Sequence, residues 1–110
     1  MKRQLVMRPQ AEADIAEAYN WHKLRGGSLG DRFLHAVDAA LAAIERNPLA
    51  YQIVHKTMRH ALLRGFSYAL YFAVKEPEMD EFGVETQRIV LLACVHTSQD
   101  PYVWQQRADD

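Results

Sequence analysis

The stretch VLLACVHTSQDPYVWQQR, Val90 to Arg107, begins with six apolar residues and breaks into polar ones at His96. A short apolar run of this kind, rich in β-branched and aliphatic residues, suits a strand in the middle of a sheet, buried on both faces. Beyond it, Asp100-Pro101 is a helix-start signal, because the Asp carboxylate can accept from the first free N–H groups and Pro fits the first helical place. Trp104 and Arg107, three apart, then share a face of a short terminal helix. His96 thus stands where a strand leaves the core, either as a reactive group or as a polar stop.

Working backwards, Tyr68 to Val74 and Met58 to Leu63 are also strand-like, separated by Gly65-Phe66-Ser67. Tyr68 to Val74 and Arg88 to Val95 read as an antiparallel pair joined by an acidic loop, Lys75 to Gln87. Their near-continuous apolar runs mean burial on both faces, or one helical layer and one further partner. Upstream, Leu29 or Gly30 to Arg46 carries Phe33, Val37, Leu41 and Ile44 on one helical stripe, with five alanines as small, helix-favouring positions. Asn47-Pro48 ends it. An earlier helix starts at Pro9, repeats Ala11, Ile15, Ala18 or Tyr19, and His22 on one face, and stops at Gly26-Gly27. Gln4 to Met7 is a candidate first strand. The expected fold is α+β: an N-terminal strand, an α-helical hairpin packed on one face of a mainly antiparallel sheet, and a short C-terminal helix.

Composition agrees with one domain over residues 1–110: the chain is 49% hydrophobic and 25% charged. Its apolar runs fall far short of the roughly 20 residues that cross a bilayer, and MKRQLVMRPQ lacks a signal-peptide core, so no membrane association and a cytoplasmic location are expected. A single cysteine, Cys94, excludes an intrachain disulfide and a cysteine-based metal site. The five histidines lack zinc-site spacing, and no phosphate loop or nucleophile elbow is present, so no metal or cofactor is expected. The net charge of -1 hides a division. No acid lies between Glu45 and Glu76, where Arg46, Lys56, Arg59, Arg64 and Lys75 fall, whereas Glu76, Glu78, Asp80, Glu81 and Glu85 crowd the next ten positions. Removing those five from the 14 acids leaves nine against 13 Lys and Arg. The acid-free block suits an anionic or acidic partner.

Four segments, RPQAEADIAEAYNWH, LGDRFLHAVDAALAAIERNPLAY, RHALLRGFSYALYFAV and IVLLACVHTSQDPYVWQQR, together span nearly the whole chain. In this order and spacing the chain resembles the ParE/RelE superfamily of toxins from type II toxin-antitoxin (plasmid stabilization) systems, and more closely its ParE branch. The resemblance implies a small growth-inhibiting protein that binds a cognate antitoxin in a hetero-oligomer. ParE-like members poison DNA gyrase without an established catalytic group. RelE-like members cut messenger RNA on the ribosome without a metal, which needs a base, cations beside the scissile phosphate and an acid for the leaving oxygen. For that second activity the candidates are Arg59, Arg64 and His96, with Lys56 and Tyr102 as substitutes for a lysine-rich strand and terminal tyrosine that the chain does not show. The incomplete set and the HTSQDP ending favour the ParE-like reading. A non-toxic, antitoxin-binding module is the third alternative. Lys56, Arg59, Arg64 and Arg107 are candidates for target binding, and Tyr19, Leu24, Phe33 and Val37 for antitoxin binding. The 76–87 segment is longer than the turn usual there in the family.

Overall fold

A computed structural model describes residues 1–109. The chain opens with strand β1 (Lys2–Met7), then helices α1 (Pro9–Leu24) and α2 (Leu29–Arg46) and a short 3-10 turn (Pro48–Ala50). Strands β2 (Ile53–His55), β3 (Met58–Leu62), β4 (Tyr68–Val74), β5 (Glu78–Met79) and β6 (Glu85–His96) follow, then helix α3 (Tyr102–Gln105) and a 3-10 turn (Gln106–Asp109). The sheet runs β1-β6-β4-β3-β2, with β5 also on β6. Among the described residues only β1 is parallel to its neighbour; the other pairings are antiparallel. No helix among the described residues is long and apolar enough to cross a membrane.

The helical hairpin forms for the reasons its sequence displays. Pro9 opens α1, and the chain turns through Gly26 and Gly27 at φ values of 99° and 63°, a region that favours glycine. The helices approach closely at Gly30, where a Cβ would stand 3.1 Å from the Tyr19 ring and 3.3 Å from the Lys23 backbone. Phe33, Val37 and Ile44 from α2 and Ala11, Ala18 and His22 from α1 are buried against Leu70, Phe72, Ile89 and Leu91 of the sheet. Removing side chains of this size from water is the main favourable contribution to folding.

Two sequence expectations need revision. The acidic 76–87 segment is not a plain loop: β5 pairs with the start of β6, so β6 begins at Glu85, before Arg88. Asp80 organises the tip, its Oδ1 accepting from the N–H groups of Phe82 and Val84, both at 2.8 Å. Short charged strands of this kind carry little apolar alternation. A further strand, β2, was hidden for the same reason of length. The sheet is buried on both faces, the first of the two arrangements its apolar runs allow, and the second face is covered by the chain itself. Trp104 lies stacked on Tyr71, with ring centroids 4.1 Å apart, over a cluster of Met58, Leu92, Ala93 and Val95.

Central strand β6 carries a register shift opposite Tyr71 and Phe72: Tyr71 faces Ala93 while Phe72 faces Leu91, leaving Leu92 as the extra residue. Such a bulge redirects the side chains beyond it. Before it Ile89 and Leu91 point to the hairpin, and after it Cys94 does, whereas Leu92 and Ala93 both lie in the opposite cluster.

Candidate functional site

Strand β1 accompanies β6 only as far as Leu91. Beyond that point the chain departs into α1, after Arg8 N–H has donated to Leu91 O at 3.0 Å, and the last residues of β6 have no strand neighbour on this side. An open cleft of about 970 Å³ occupies the gap. Its walls are Asp14, Glu17 and Trp21 of α1, the Gly65–Tyr68 turn, Cys94 to His96 of β6, and Ser98, Gln99 and Val103 beyond.

Backbone groups cannot be left bare at a partly buried edge without cost. Two side chains replace the missing strand. The Asp14 carboxylate accepts from Cys94 N–H at 3.0 Å, and Arg107 donates to Leu92 O at 3.1 Å. Arg107 also holds Asp14 through both its terminal nitrogens, at 2.5 and 3.3 Å. With the two side chains 17% and 16% exposed, this pair is a desolvated clamp rather than a surface ion pair. It ties α1, the β6 bulge and the terminal segment together. Asp100 makes the turn into that segment, its Oδ1 accepting from Tyr102 N–H at 2.9 Å as the Asp-Pro signal predicts.

His96 lines the cleft and is half-buried. Its Nδ1 lies 3.0 Å from Ser98 N–H, which donates to it, and 2.7 Å from Ser98 Oγ; its ring meets Tyr68 edge-on at 5.2 Å. These contacts shape the strand exit. Burial, with smaller contributions from Cys94 and Glu17, raises the Tyr68 hydroxyl above its usual range, so this tyrosine stays protonated at neutral pH. Burial and then Asp14 push the Cys94 thiol up to about 12, leaving it protonated and unreactive. His22, at the back of the cleft, is a core histidine: its Nδ1 donates to Ala18 O at 2.6 Å and its ring stacks on Phe33 at 4.7 Å.

The basic candidates are not brought together. Lys56 sits in the β2–β3 turn at φ 52°, and Arg64 is exposed in the turn before Gly65. Arg59 donates to Tyr51 O at 2.6 Å and Leu49 O at 3.4 Å, holding the chain around the 3-10 turn rather than pairing with an acid of the helices. Arg107 belongs to the clamp. None of the four lines the cleft. Of the antitoxin candidates, Phe33 and Val37 are core residues, 0% and 3% exposed, with Val37 at the floor of a groove between the helices. Tyr19 is half-buried beside a shallow groove between the helices, and Leu24 stands 83% exposed at the hairpin turn. Tyr102 is exposed. Trp21, 49% exposed, is a rim residue whose indole carries the Arg25 guanidinium 3.9 Å above it.

Asp14 and Glu17 are absent from the sequence candidates. Their spacing of three, on one helical face, was the available signal. Among the described residues no group of His, Cys, Asp and Glu is arranged to hold a metal ion. Compared with protein-family models and with curated proteins, the chain finds no match in either. Fold and site define an α+β domain whose cleft is lined by acceptors, aromatic faces and the Glu17 carboxylate, which has no ion pair among the described residues.

Proposed function

We propose that this chain is a ParE-like toxin of a type II toxin-antitoxin system, acting on DNA gyrase by binding and neutralised by a cognate antitoxin. The observation that carries the choice is the chemistry of the cleft: its walls contain Asp14 and Glu17 but no Lys or Arg. Phosphodiester cleavage builds negative charge on the scissile phosphate and needs cations aimed at it. A carboxylate there repels the substrate instead. His96, which lines the cleft, has Nδ1 engaged by Ser98. Arrangement of the hairpin over one face of the sheet, with the N-terminal strand beside the last long one, supports the superfamily reading that the sequence motifs first suggest.

One observation favours the RelE-like nuclease as the second reading: exposed Arg64 immediately precedes Gly65 of the cleft wall, within a side chain's reach of its mouth. Controlled expression followed by primer extension on translated messages separates the readings. Growth arrest with intact messages is expected. Codon-linked cuts that vanish in Arg64→Ala would install the nuclease in its place, and harmless expression in cells lacking an antitoxin would leave only the antitoxin-binding module.

A further inference from the structure

The clamp that adjoins the cleft through Asp14 displays how this edge binds a guanidinium: a carboxylate from α1 and a backbone carbonyl of β6 take it from two sides, Asp14 and Leu92 receiving Arg107. One step along, the same pair of acceptors recurs. Glu17 lies three residues after Asp14 on the same face of α1, and both line the cleft. Cys94 directs its N–H to this edge, toward Asp14, and a strand residue's carbonyl points to the same side as its N–H. Among the described residues Glu17 has no hydrogen bond or ion pair. Beside it stand the rings of Trp21 and Tyr68 and the side-chain oxygens of Ser67 and Gln99. Trp21 already shows its affinity for a planar cation in its stack with Arg25.

We infer that the cleft between Glu17, Trp21 and the open edge of β6 receives an arginine side chain from a partner polypeptide. It rests on the reading of the domain as a protein-binding module and adds the chemistry of the partner's contact residue. The guanidinium fork matches a carboxylate on one side and a strand-edge carbonyl on the other, while its flat face suits the indole. A lysine ammonium, a point charge, meets the carboxylate but not the geometry. Arg25 is stacked on Trp21 and, among the described residues, makes no ion pair with Glu17.

The test is an NMR titration of the full chain with N-acetyl-arginine amide, followed at the Trp21 indole N–H and the Cys94 and His96 amides. Saturable shifts confined to these groups are expected, with a dissociation constant on the order of millimolar for a lone side chain. Glu17→Gln weakens binding about fivefold or more, Glu45→Gln, far along α2, leaves it unchanged, and N-acetyl-lysine amide binds more weakly. Absence of saturable shifts, equal affinity in Glu17→Gln, or equal affinity for the lysine analogue would overturn the inference. The small-molecule titration is independent of gyrase, so its outcome and that of the toxin reading are separable.

Discussion

The two faces of the sheet are built on different principles. On one, 16- and 18-residue helices bury Phe33, Val37, Ile44, Phe72 and Leu70 in a single cluster. On the other, cover comes from one terminal segment held by the Trp104 ring on Tyr71 and by the Asp14–Arg107 clamp. The first face owes its stability to area and packing spread over many side chains. The second depends on one aromatic anchor and one ion pair, so it is the face that single substitutions can open. Both meet along β6, whose bulge hands side chains from one cluster to the other.

Phe72→Ala strikes the first face and should be the most damaging change, costing about 3–5 kcal/mol because a fully buried ring leaves a cavity that rigid helices cannot fill. Urea unfolding followed by circular dichroism reads it. Alkaline pH acts on both faces. The Cys94 thiol and the Tyr68 and Tyr71 hydroxyls have raised pKa values, so the folded state holds protons that the unfolded chain releases. Their contribution is intact below about pH 9 and is lost as pH climbs toward 12, with Cys94 alone supplying a slope on the order of 1 kcal/mol per pH unit. A urea midpoint that does not move between pH 9 and 11 would remove this linkage, and Cys94→Ala should flatten the curve.

Arg107→Met keeps the side-chain stem while deleting the guanidinium. The loss should be about 2 kcal/mol, since Asp14 is left partly buried without its countercharge. Its signature is local: hydrogen exchange should accelerate at Cys94 and in the terminal segment while the amides between Phe33 and Ile44 keep their relative protection. Uniform loss across both faces would show that they are one cooperative unit and erase the distinction. Phe82→Ser, at a position 83% exposed on the β5–β6 tip, should change stability by no more than about 0.5 kcal/mol. A larger effect would mean that the acidic arm supports the sheet.

The hairpin face was legible because its apolar residues recur with helical period and its ends carry proline and glycine: α2 spans Leu29–Arg46, and Val37 and Ile44 are buried as their stripe requires. The second face was legible only as a demand for cover. Nothing local could reveal that Trp104 meets Tyr71, or that Arg107 reaches an aspartate 93 positions away. The same holds for the cleft. His96 was found from the end of an apolar run, but Glu17 and Asp14 gain their meaning only where β1 stops at Met7 and leaves β6 without a neighbour. Conversely, a basic stretch of sequence does not make a basic site. Arg59 and Arg107 are spent on backbone carbonyls, and Lys56 and Arg64 sit in separate turns.

The central claim, that this domain acts by binding gyrase rather than by cutting RNA, is tested most directly by adding the purified chain to gyrase and relaxed plasmid and resolving the topoisomers. The account predicts a dose-dependent loss of negative supercoiling. Full supercoiling at a large molar excess of the chain would contradict it.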